Sequence, residues 1–206
     1  MDRKTNVMAD VIRQDIGLAT KSNRVIKVWR EGMDRYALTG CIVDTSDEFL
    51  VVHCMSDAIR LDGYSLIRIT DITSIDRDPR YGDFYEKALK LMKDKPRRPK
   101  NLRLENMYSV LQSLDENYPL ISVEREKVKN DECAIGKIHM MSENMVVLKW
   151  LTPDAKWKGN SPRYRLRDIT KIDFDTSYIN VLATVARVSK PKTKKSPDEK
   201  KRGRLG

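Results

Sequence analysis

The chain has 206 residues, with 40 Lys+Arg against 30 Asp+Glu and a formal net charge of +10. Its 40% hydrophobic content excludes a wholly disordered chain, and three cysteines are too few for a disulfide scaffold. No apolar run approaches the roughly 18 residues of a membrane span, and the N-terminus has no stretch of signal-peptide type. A soluble, cytoplasmic protein is expected, and its excess charge points to a polyanionic partner.

An amphipathic helix opens the chain. Met8, Val11, Ile12 and Ile16 fall at helical spacing, with Thr5 or Asn6 as N-cap. Strands are expected over 25–29, 36–43, 49–53 and 65–69. Asp71-Ile72-Thr73 forms a tight turn before a short fifth strand at 74–77. The Asp71 carboxylate is expected to fix that turn by accepting backbone N–H bonds. A closing helix follows, capped by Asp78 with Pro79 at its first position, and Phe84, Ala88, Leu89 and Met92 face inward.

The segment 93–100, KDKPRRPK, has no apolar residue and two prolines. It is a linker. Beyond it the pattern returns over 101–186. Leu104, Met107, Tyr108, Leu111 and Leu114 make a second opening helix that Asn117-Tyr118-Pro119 ends. A second closing helix starts near Thr176, with Tyr178, Val181, Leu182 and Val185 inward. The tail 187–206 buries almost nothing and is expected to be disordered.

The two segments repeat one another. Ile69-Thr70-Asp71-Ile72-Thr73-Ser74-Ile75-Asp76 matches Leu166-Arg167-Asp168-Ile169-Thr170-Lys171-Ile172-Asp173. Gly40-Cys41-Ile42 matches Gly136-Lys137-Ile138, and Ile26 and Val28 match Ile121 and Val123. The fold class is therefore mainly β with flanking helices. Two tandem five-stranded antiparallel barrels are expected, because closure removes strand edges.

Divided along the chain, the charge is −1 over 1–92, +4 over 93–100, 0 over 101–186 and +7 over 187–206. The excess lies in the linker and the tail, where it can serve as a sequence-independent tether.

A helix, a strand and then Gly-x-apolar, with a second apolar cluster nine positions past the glycine, resembles the Sm-like small barrel. Those positions are Gly40, Ile42 and Phe49, and again Gly136, Ile138 and Met145. The resemblance implies a small barrel with RNA as a candidate ligand. The family's uridine-reading residues are not matched: Leu50 stands where an asparagine is expected, and Asp168 follows Arg167 where a glycine is expected.

No His or Cys cluster has metal-ligand spacing, and no nucleophile elbow or glycine-rich phosphate loop is present. A noncatalytic protein without cofactor or metal is expected. The candidate nucleic-acid-binding residues are Lys156, Trp157, Lys158, Arg163, Arg165 and Arg167. Alternation puts the three arginines on one strand face, where they can bridge phosphates. Trp157, in the preceding loop, can stack on an unpaired base if exposed. The expected function is binding of RNA or single-stranded nucleic acid. The rival is a protein-interaction adaptor that holds peptides in barrel grooves or on strand edges.

Overall fold

The structure, a computed structural model, describes residues 3–22 and 24–188. From residue 189 on, the tail expected to be disordered lies outside them.

In the first half, α1 (Arg3–Ser22) leads into β1 (Ile26–Trp29), β2 (Leu38–Thr45), β3 (Phe49–Met55) and β4 (Leu61–Arg68). A 3-10 turn (Ile69–Asp71), β5 (Ser74–Asp76) and α2 (Gly82–Leu91) complete it. The second half has the same order: α3 (Met107–Asn117), β6 (Ile121–Arg125), β7 (Lys129–Ser142), β8 (Met145–Trp150), β9 (Arg163–Arg165), a 3-10 turn (Leu166–Asp168), β10 (Lys171–Phe174) and α4 (Ser177–Val185). No helix among the described residues is long and apolar enough to cross a membrane.

The ten strands form one antiparallel sheet, not two closed barrels. Its order is β5-β1-β2-β3-β4-β10-β6-β7-β8-β9. Each half therefore runs fifth-first-second-third-fourth. The edge of β4 does not return to β5. It pairs with β10, from Lys171 opposite Ile67 to Phe174 opposite Tyr64. Each half covers the other's edge at the centre, so closure is not needed to satisfy those backbone groups. Among the described residues, only β5 and β9 remain as sheet edges.

Local chemistry explains the shared signature. A Cβ on Gly40 would lie 2.2 Å from the His53 carbonyl oxygen, and one on Gly136 would lie 2.5 Å from that of Lys149. Only glycine lets the second and third strands approach so closely there. The repeated threonine is a clasp. Thr73 donates its hydroxyl to the Trp29 carbonyl and accepts from the Glu31 N–H. Thr170 likewise accepts from the Glu126 N–H, and its hydroxyl proton lies within reach of both the Glu124 carbonyl and the Glu126 carboxylate. The repeated aspartates do not fix their turns, contrary to the sequence expectation. Asp71 is buried and ion-paired with Lys127 of the second half, while Asp168 lies 3.7 Å from Arg167.

The helices bury narrower stripes than expected. Thr5 and Asn6 lie inside α1, which buries Ile12, Ile16 and Ala19 over β2 and β5 and turns Met8 and Val11 to solvent. In α3, Asn106 caps by accepting from the Ser109 N–H at 2.9 Å, and Met107, Leu111 and Leu114 are buried as expected. Helix α2 starts after Tyr81 rather than at Pro79. It buries Leu89 but exposes Phe84 and Met92. Helix α4 buries Ile179, Leu182 and Ala183 against Leu120 and Leu151, leaving Tyr178, Val181 and Val185 outside. Leu89 anchors α2 to Val25 and Cys41, so one narrow stripe suffices there.

The largest core cluster spans the join. Phe49, Val51, Tyr64 and Leu66 of the first half pack with Val123, Leu148, Ile172 and Phe174 of the second, under α3. Arg30 is fully buried beside it. Its guanidinium contacts Asp34 at 2.6 Å, Glu126 at 2.5 Å and the Thr170 carbonyl. Burial alone pushes the Glu126 carboxyl up, but the Thr170 hydrogen bond and the Arg30 charge outweigh it and hold the group below 4.5. Its stabilising effect is thus present above that value and lost as pH falls through the folded-state pKa. Glu126→Gln should cost about 3 kcal/mol at neutral pH, because it leaves a buried cation underpaired. Urea melts at a series of pH values should show the gap from wild type shrinking under acid; a gap independent of pH would contradict this account.

Candidate nucleic-acid interface

Strands β7, β8 and β9 set up a face by register alone. Lys137 lies opposite Lys149. Met140 lies opposite Val147, which lies opposite Arg163, and Met145 lies opposite Arg165. Directly paired residues share a side of the sheet, so all seven side chains point the same way. The other side carries Val146, Leu148 and Tyr164 into the core. The face therefore has four cations around an apolar floor of Met140, Met145 and Val147, with no carboxylate among its seven residues. Arg163, Arg165 and Lys137 have no ion-pair partner among the described residues.

The first half shows what this surface replaces. Equivalent pairing aligns Asp44, Val51 and Leu66, and sets Phe49 opposite Arg68. Both halves carry the same bulge, after Ile42 and after Ile138. Yet the first-half face is covered. The linker crosses it: the Arg97 N–H donates to His53 Nδ1 at 3.2 Å, and Arg98 meets Asp44 at 2.6 Å. Leu102 and Leu104 pack into the same cluster as Phe49, Val51 and Leu66 of that face. Where the covered face has Asp44 and Leu66, the open one has Met140 and Arg163.

Arg68 and its counterpart Arg165 differ most. Arg68 donates to the carbonyls of Ile169 at 2.8 Å and Leu166 at 3.0 Å, pairs with Glu48, and lies over the Phe49 ring. Arg165 is exposed, and Asn144 stands where Glu48 stands in the first half. Asn144, Met145, Arg165 and Arg167 line a shallow cleft of about 280 Å³. Arg165, unpaired among the described residues, and Arg167, which has Asp168 at 3.7 Å, can together meet a phosphate or carboxylate there.

The structure divides the residues singled out from sequence. Arg163, Arg165 and Arg167 lie together at the Met145 end of β8. Lys156, Trp157 and Lys158 lie near its Trp150 end, about 16 Å away at the usual strand rise. Trp157 is not free for stacking on a base. It bridges to Leu151 and packs against the Leu120, Ile179 and Leu182 cluster, with Lys149 Nζ 4.7 Å from its ring centroid. Lys156 pairs with Asp154 at 2.8 Å, and Lys158 lies over Trp150. Lys137 and Lys149 were missed. They become neighbours only once the β7–β8 register is known, although alternation within each strand already pointed them outward.

No protein-family model matches the chain, and no curated protein matches it. Among solved structures, the apo state of MrkH from K. pneumonia is similar at 9% identity over 89% of this chain and 90% of that one, with a TM-score of 0.16.

The contrast between the two arginines is measurable. Arg68→Ala should cost about 1–3 kcal/mol, because buried carbonyls lose their donor. Arg165→Ala should stay within about 0.5 kcal/mol, as expected of a surface side chain. Equal losses in thermal melts would show that Arg165 is structural.

Proposed function

We propose that the protein is a noncatalytic binder of RNA or single-stranded nucleic acid, held on the outer face of β7, β8 and β9. The carrying observation is the set Lys137, Lys149, Arg163 and Arg165 on one exposed strand face, none of whose seven residues is acidic. The corresponding first-half face is buried and carries Leu66 and Asp44, so the open cationic face belongs to the second half alone. Phosphates would bridge the arginines, and a base or ribose would lie on Met140, Met145 and Val147. The linker offers less free charge than its +4 suggests, since Arg98 is paired with Asp44. The tail, at +7, adds attraction that is independent of sequence. The Sm-like resemblance in Gly40-x-Ile42 and Gly136-x-Ile138 belongs to the same reading. A second reading, a protein adaptor, draws on the unpaired edges of β5 and β9; it requires a stable complex that survives nuclease.

Affinity for a single-stranded RNA oligonucleotide should fall with salt, by a logarithmic slope of about 0.7 per phosphate contact. The double variant Arg163→Glu/Arg165→Glu should reduce that slope by roughly 1.4 or more, and deletion of 187–206 should flatten it further. Absence of binding at low salt, or an unchanged slope in the double variant, would refute the assignment.

A further inference from the structure

The hairpins that join the third and fourth strands are built alike in both halves. Ser56 and Ile59 make the hydrogen bonds Ser56 N–H to the Arg60 carbonyl and Ile59 N–H to the Ser56 carbonyl. Thr152 and Ala155 repeat them with Lys156 and Thr152. Ile59 and Ala155 both have positive φ, 55° and 60°. Met55 pairs with Leu61 as Leu151 pairs with Trp157. Leu61 therefore occupies the position of Trp157.

The consequence lies under the hairpin. In the second half, Trp157 fills the space between hairpin and closing helix, packed with Ile135, Leu151, Ala155 and Leu182. The corresponding first-half residues, Thr39, Met55, Ile59 and Tyr85, line an open cleft of about 420 Å³. Phe84 and Tyr81 extend its wall from the start of α2 and are 54% and 57% exposed. Asp57 also lines it and has no ion-pair partner among the described residues. Ile59 is β-branched and held at a φ that such residues rarely adopt, a strain that marks a constrained wall.

We infer that this cleft binds a protein segment presenting an exposed tryptophan next to a lysine. The second half supplies the template: an indole enters from the hairpin side and lies between the hairpin and the closing helix. Replacing Trp157 by Leu61 removes the internal indole and leaves three aromatic rings facing the gap. Asp57 stands where the second half has Pro153, and it adds a carboxylate that a neighbouring lysine can meet. Aromatic anchors in pockets of this kind carry much of the energy of peptide binding. The inference stands apart from the nucleic-acid face, which lies on the other half.

The probe is a fluorescein-labelled synthetic peptide copying residues 151–163 of this chain, which carries a Lys-Trp-Lys core. Fluorescence anisotropy with the full-length protein should show saturable binding. Peptide with its tryptophan changed to alanine should lose it. Leu61→Trp, which fills the cleft as Trp157 does, and Phe84→Ala, a change at an exposed site, should each weaken binding about tenfold or more. The double variant Arg163→Glu/Arg165→Glu should bind the peptide as wild type does, so a failed nucleic-acid assay leaves this result intact. Absence of saturable binding, or binding unaffected by both cleft variants, overturns the proposal. Self-association, or binding to phosphatidylcholine vesicles, that Phe84→Ala abolishes in sedimentation would assign the cleft to another occupant and overturn it as well.

Discussion

Strands β4 and β10 each carry a row of N–H and C=O groups that five strands in an open arrangement leave unsatisfied. Their pairing removes both edges at once. It also aligns the apolar sides of the two halves, so that Leu66 and Tyr64 share a core with Ile172 and Phe174. Charges secure the same join. Arg30 reaches Glu126, Lys127 reaches Asp71, and Arg68 reaches the Leu166 and Ile169 carbonyls at the two ends of the second 3-10 turn. Removing one partner from such a set leaves a buried charge or carbonyl exposed to a medium that cannot solvate it. The halves therefore share one core and one set of buried charges at this join.

Much of this was legible in the residues. The repeated order of elements, the strand positions and the glycines of the Gly-x-apolar motif all have local causes. What was not legible depends on contacts between distant segments. Barrel closure was the economical solution for one half considered alone. Nothing in the alternation of 61–68 says that its edge will meet 171–174, about a hundred positions away. The same gap hid the role of Asp71, whose partner Lys127 comes from the other half. Trp157 was misread for a related reason. A tryptophan between two lysines suggests an exposed ring, yet Lys156 turns to Asp154 and Lys158 to Trp150, and the Trp157 ring settles half-buried against the Leu151 and Leu182 cluster. Helix stripes were misplaced by a residue or so because Phe84 and Val181 have the right spacing but no opposing surface.

The halves share a scaffold and differ in what they leave uncovered. The first half hides the outer side of its third and fourth strands and opens the space under its hairpin. The second half fills that space with Trp157 and opens the outer side instead. Each difference traces to one or two side chains: Leu66 against Arg163, Glu48 against Asn144, Leu61 against Trp157. Two near-neutral halves can thus present unlike surfaces without altering strand order. The net charge of the whole chain conceals this, because the cations of one exposed face are balanced by acids elsewhere in the same half.

The long separation between β4 and β10 also has a temporal side. During synthesis the first half emerges complete in its own elements while its central edge and the Phe49, Val51 and Leu66 surface still await residues 171–174. At ordinary rates of chain elongation that interval is roughly 5 to 20 s. For that time the nascent chain presents an unpaired strand beside an apolar surface, the combination most prone to improper pairing with a neighbour on the same messenger. Residues 93–105 appear well before β10, and in the finished fold Leu102 and Leu104 share a core cluster with Phe49, Val51 and Leu66.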